Sequence, residues 1–145
     1  MKIHALVVDD SGIMRKMVMR SLTETGLAEF VFSEAGDGQE ALKVFDPEKV
    51  NMCFVDWNMP NMSGIDFVKC IRSTQKRHVP IVMVTTESTV AKVEEALDQA
   101  GVDCYIVKPF TVQVLEKKLA PLFQKLSDAS KKSQGFFGKL AEKIA

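Results

Sequence analysis

No apolar run in this chain approaches the roughly 20 residues that a membrane-spanning helix needs. The amino-terminal stretch before Asp9 and Asp10 is also too short in apolar residues, and too soon closed by acids, to be a secretory signal. Both absences lead to the expectation of a cytoplasmic protein. Cysteine is scarce and unpatterned. Cys53, Cys70 and Cys104 are odd in number and show no CxxC spacing, which argues against a disulfide framework or a zinc site and for reduced thiols. A net charge is missing too, with 19 basic against 19 acidic residues, so nothing draws the whole chain to nucleic acid. There are two histidines, His4 and His78, and neither falls in a helical segment with a receptive partner. Ordinary structural roles are the expectation for both.

What is present is a chain of 145 residues, 46% hydrophobic and 26% charged, enough for one globular domain with a real core. Short Val- and Ile-rich runs alternate with segments of helical period. The strands are expected at Ile3–Val8, Val31–Glu34, Val50–Val55, Ile81–Thr85 and Asp103–Val107. The helices are expected over 12–24, 38–45, 64–72, 88–99 and 111–119. The first carries Ile13, Met17, Val18 and Leu22 as its stripe and stops at Gly26, and the fourth has Ser88 as N-cap and ends before Gly101. Five strands alternating with five helices imply a doubly wound α/β fold with a parallel sheet. Such sheets place their sites beyond the carboxyl ends of the strands.

At those ends stand chemically loaded residues. The first strand closes in Asp9-Asp10 and the third in Asp56. Three carboxylates brought together resist ionisation unless a cation joins them, and a donor set of oxygens alone suits Mg²⁺. The fourth strand ends in Thr85 and the fifth leads into Lys108-Pro109. Metal and Lys for charge, Thr for a hydrogen bond and a carboxylate nucleophile are the parts that phosphoryl transfer requires. Any one of these residues alone reads as a helix cap, a buried strand residue or a surface charge; together they read as a phosphoryl site.

The set Asp9-Asp10, Asp56, Thr85 and Lys108-Pro109-Phe110 resembles the receiver domains of two-component response regulators. The run from Asp56-Trp57-Asn58 through Met59-Pro60-Asn61-Met62-Ser63-Gly64, with Val82–Thr85 and Tyr105, is similar to the chemotaxis members of that family. The resemblance covers about residues 2–126. It implies a flavodoxin-like (βα)5 fold of strand order 2-1-3-4-5, with Asp56 as phosphoacceptor. Asp9, Asp10, Asp56 and the backbone carbonyl of Asn58 would hold Mg²⁺. Lys108 would pair with the phosphoryl oxygens across a cis bond to Pro109, with Thr85 as the switch hydroxyl and Tyr105 as the aromatic that follows it. A histidine kinase would be the phosphodonor. The output partner would be met through the helix 4–strand 5–helix 5 face, as a flagellar switch component could be. On this reading the protein is not an enzyme but a phosphoacceptor that assists its own turnover. Thr86 departs from the small residue usual after the switch Thr, and is expected to narrow access to Asp56. Trp57 reads as packing or a partner contact.

The division expected along the chain is a receiver over 1–126, a linker over 127–135 and a short amphipathic helical tail over 136–145. Ser and Lys make up five of the nine residues of the linker, which ends in Gly135, and Phe137, Leu140 and Ile144 share a stripe in the tail. Pro121 should kink or restart the last helix. The segment 124–145 carries five Lys against Asp128 and Glu142, a net of +3 that leaves −3 on the rest. So short an amphipathic helix is marginal alone, so it should dock on its own domain, a partner groove or a membrane face. Too few residues follow the fifth helix for a DNA-binding output domain. Two other readings stand beside the signalling switch: a receiver serving only as a phosphate sink, and a flavodoxin-like cofactor-binding enzyme. The loop Asp9-Asp10-Ser11-Gly12 disfavours the second, because without a metal it repels phosphate.

Overall fold

The computed structural model describes secondary structure for residues 1–144 and side chains for residues 1–131. Five strands, β1 (Lys2–Val8), β2 (Glu29–Ala35), β3 (Met52–Val55), β4 (Ile81–Thr85) and β5 (Cys104–Val107), form one parallel sheet of order β2-β1-β3-β4-β5. The helices between and after them are α1 (Gly12–Thr25), α2 (Gly38–Val44), α3 (Gly64–Thr74), α4 (Val90–Glu94) and α5 (Val112–Ile144).

Alternation along the strands decides what each face buries. Leu6, Val8, Cys53, Val55, Ile81, Met83 and Tyr105 pack with Ala41, Phe67, Val68 and Ile71, which come from α2 and α3. On the other face Ile3, Ala5, Val7, Phe54, Val82, Val84 and Ile106 pack with Val18 and Leu22 of α1 and Leu115, Leu119 and Phe123 of α5. The central strands are buried on both faces, which is why they read as continuous apolar runs. No helix among the described residues is long and apolar enough to cross a membrane.

Several local expectations are corrected. Ile13 and Met17 are 77% and 54% exposed, because the inward stripe of α1 runs Val18, Leu22, Thr25 and turns away from the 13–17 line. The N-cap of α4 is Thr89, not Ser88: its hydroxyl accepts from Lys92 N at 3.3 Å. The helix expected as one piece over 88–99 is α4 continued by a π-helical stretch, Glu95–Ala100, and Gly101 then ends it at φ 86. The largest difference lies at the carboxyl end. α5 runs through Pro121 and on through 127–131, where a linker was expected, and Gln124 Nε2 donates to Asp128 Oδ1 one turn on. Ser and Lys in that segment are compatible with helix once the preceding turns are fixed by Leu115, Leu119 and Phe123. The side chains of the expected amphipathic tail lie outside the described residues.

Candidate phosphoacceptor and metal site

Register carries the acids together. Val8 pairs with Val55, and Asp56 N donates to Val8 O at 2.9 Å, so Asp9 and Asp56 are the first residues beyond two neighbouring strands. Thr85 pairs with Val107, and Lys108 N donates to Thr85 O at 2.8 Å, which sets Lys108 just past the end of β5. The Lys108–Pro109 bond is cis. From there the Lys108 side chain reaches across the sheet end. Its Nζ donates to Asp9 Oδ2 at 2.8 Å and to Asp56 Oδ2 at 3.2 Å, with only 8% of the side chain exposed.

The carboxylates are held from behind. Asp9 Oδ1 accepts from Ser11 N at 2.9 Å, while the Asp9 carbonyl accepts from Arg15 Nη1 at 2.7 Å. Arg15 in turn donates through Nε to Glu34 Oε1, and the hydrogen bonds from Arg15 and Lys16 hold the Glu34 carboxyl below its ordinary range. Asp56 Oδ1 accepts from Trp57 N at 2.7 Å. Asp9 is buried, Asp56 half-buried and Asp10 exposed, so the cluster opens to solvent on the Asp10 side.

Three carboxylates against one ammonium leave a deficit of positive charge. Burial alone would lower the Lys108 pKa, but its bond to Asp9 and the charges of Asp56 and Asp9 raise it above the ordinary lysine value. One oxygen from each of Asp9, Asp10 and Asp56 lies within 4.8 Å of the others. Oxygen donors at that spacing, with one member solvent-facing, fit a hard divalent cation that keeps some of its waters. Mg²⁺ fits this donor set.

Around the acids the remaining predicted residues take distinct places. Thr85 is fully buried, and its hydroxyl accepts from Glu87 N at 3.3 Å. The Asn58 side chain donates to Glu87 Oε1 at 2.7 Å. Tyr105 is buried, and its hydroxyl donates to the Glu87 carbonyl at 2.6 Å. Burial, then the charges of Glu87 and Asp56, push the Tyr105 pKa up to about 12. Trp57 is core packing, 4% exposed, with Lys92 Nζ 4.5 Å from its ring centre. Thr86 is exposed and lines a cleft of about 410 Å³ with Met14, Met17, Phe110 and Lys108, on the α1 side of the acids.

Two contributors carried no recognisable role in the sequence. Glu87 ties together Asn58, Thr85 and Tyr105, although nothing in its type or spacing marks it. Gly64 lets the loop after β3 fold back on itself: its N–H donates to Trp57 O at 2.8 Å, and a Cβ there would stand 1.7 Å from the Asp56 carbonyl oxygen. The same loop is tied to α2, where Asn61 at φ 65 donates through Nδ2 to Asp37 Oδ2 and Gly38 N donates to Met62 O.

Comparison with known proteins gives a consistent picture. The family model described as the response regulator receiver domain matches residues 5–120. The chain is 39% identical over 123 residues to the chemotaxis protein CheY of Pseudomonas aeruginosa, covering 84% of this chain and 97% of that one. It is 46% identical over 116 residues to CheY1 of Helicobacter pylori, covering 79% and 91%. Among solved structures it resembles the chemotaxis response regulator CheY4 of Vibrio cholerae, with TM-score 0.70 and 35% identity over 83% of this chain and 98% of that one.

Proposed function

This chain belongs to the response regulator receiver domain family, and we propose that within it the protein is a phosphorylation switch of chemotaxis signalling. A histidine kinase donates the phosphoryl group to Asp56. The observation that carries this reading is the meeting of the Asp9, Asp10 and Asp56 carboxylates with the Lys108 ammonium at the carboxyl ends of β1, β3 and β5.

In the reaction an Asp56 oxygen attacks phosphorus, the bond from phosphorus to the donor histidine nitrogen breaks, and the histidine leaves with the electron pair. An acyl phosphate is the product. Lys108, already poised 3.2 Å from Asp56 Oδ2, neutralises charge on the transferred group. Asp9, Asp10, Asp56 and the Asn58 carbonyl would hold Mg²⁺, which would supply the remaining positive charge at the transferred group. Thr85 exchanges its bond from Glu87 N for one to a phosphoryl oxygen. That weakens the Glu87 loop on which the Tyr105 hydroxyl rests, and so transmits the change to the surface of α4, β5 and α5. This surface meets the output partner, in a motile cell a component of the flagellar switch. Water attack on the acyl phosphate, in the same charged site, resets the switch in the cytoplasm without a separate enzyme being required.

The test is mass spectrometry of the intact chain after acetyl phosphate treatment with and without Mg²⁺. One phosphoryl group should be added to wild type in the presence of Mg²⁺ and none to Asp56→Asn. Labelling that survives in Asp56→Asn removes the proposal. A receiver acting purely as a phosphate sink would label identically but show no phosphorylation-dependent partner binding.

A further inference from the structure

At the opposite end of the sheet the molecule has a second concave surface of the other charge. A cleft of about 530 Å³ opens between the amino ends of the strands and the stretch of α5 that projects past them. Its floor is apolar, with Ile3 and Pro80 buried and Leu126 half-buried, and its rim carries the exposed Lys2 and Arg77, with Ala129 on the α5 wall. His78 also borders it. No carboxylate lines the cleft among the described residues. Asp103, which His78 meets at 2.7 Å, is already engaged by Arg72 Nη2 and by Ile81 N.

The cleft is built rather than accidental. Arg77 is anchored by donating through Nη2 to the Val50 carbonyl at 2.9 Å, and Asn51 Oδ1 accepts from His4 N at 2.7 Å. The α5 wall is the part of the helix beyond the last residue that the sheet covers, so the cleft owes its depth to the continuation of α5 through 127–131.

We propose that this cleft docks an acidic amphipathic segment of a partner protein, an apolar side chain entering above Ile3, Pro80 and Leu126 while carboxylates meet Lys2 and Arg77. Charge selects this occupant. Residues 132–145 carry Lys132, Lys139 and Lys143 against Glu142 alone, so this chain's own end, or a second copy's, shares the sign of the rim. Concavity selects against a flat anionic membrane, which cannot reach an apolar floor between a helix and a sheet edge. The surface is separate from the phosphoacceptor site and gives the switch a second point of attachment.

The test uses the full ¹⁵N-labelled chain and four probes: a synthetic amphipathic Glu/Leu peptide, its Lys/Leu counterpart, inorganic phosphate, and phosphatidylglycerol vesicles. The Glu/Leu peptide should shift amides around residues 2–4, 76–80 and 126–130. Lys2→Gln should weaken it a few-fold, and Ala129→Glu, an exposed change that a helix tolerates, should weaken it about tenfold. Acetyl phosphate labelling of Asp56 in both variants should match wild type, which separates failure of the cleft from failure of the receiver reading. No binding of the Glu/Leu peptide, equal binding of the Lys/Leu peptide, shifts confined to other surfaces, or response to phosphate or vesicles alone would each overturn the proposal.

Discussion

Gly64 and Asp56 are in such close backbone contact that a single methyl group between them would sit 1.7 Å from the Asp56 carbonyl oxygen. The obstacle is main chain on both sides, so rotamer adjustment cannot relieve it. Gly64→Ala is therefore expected to lose about 3 kcal/mol in urea unfolding, the upper end for overpacking, and to slow acetyl phosphate labelling by displacing Asp56. Gly12→Ala is the control. There a Cβ meets only the flexible Arg15 side chain at 3.4 Å, and the change should stay within about 0.5 kcal/mol.

Trp57, the one tryptophan, directly follows Asp56 and donates its backbone N–H to Asp56 Oδ1 at 2.7 Å, so it adjoins the acid cluster. Mg²⁺ titration should change its fluorescence along a saturable curve. Asp10→Asn removes one of the three carboxylates and should weaken the apparent affinity at least about tenfold, the lower end of losses seen even for outer-shell partners. An unchanged curve would remove Asp10 from the metal site.

The single tyrosine makes the pH behaviour of Tyr105 directly readable. Tyrosinate absorbance should titrate with a midpoint near 12 in the folded protein and near the ordinary value of 10.0 after unfolding. The folded pKa is raised, so the protonated hydroxyl's contribution to stability is fully present below 10 and is lost as pH rises through the folded value. Unfolding midpoints should fall across that window in wild type, and less steeply in Tyr105→Phe.

Arg72 is the clasp at the amino end of the sheet. It donates to the Gly101 carbonyl at 3.0 Å, to the Val79 carbonyl at 2.7 Å and to Asp103 Oδ2 at 2.9 Å. Arg72→Ala leaves two carbonyls and a largely shielded carboxylate without that partner, and should cost about 3 kcal/mol in chemical unfolding. Arg72→Lys keeps the charge but cannot span three acceptors, and should recover less than half of the loss.

Much of this was legible in residue order. The five apolar runs gave the strands to within a few residues, because strands buried on both faces must be continuous in Val and Ile. β4 at Ile81–Thr85 agrees at both ends. The acids, Thr85 and Lys108 were legible as a set because parallel strands all end on one side. The inward face of α1 was not legible, since Ile13, Met17, Val18 and Leu22 are equally apolar and only packing against the sheet separates two that are buried from two that are not. Glu87 was not legible either, because its part depends on where its main chain passes Tyr105 and Asn58.

The sequence by itself determined the alternating architecture and the chemistry at the strand ends, since both rest on local periodicity and on residue type. Tertiary structure decided the distances. Register set Asp9 beside Asp56, and the path of Lys108 across the sheet end brought its ammonium to both carboxylates. Tertiary structure also decided how far α5 runs. A Ser- and Lys-rich segment has no strong preference of its own, and its helix is inherited from the turns that Leu115, Leu119 and Phe123 anchor on the sheet.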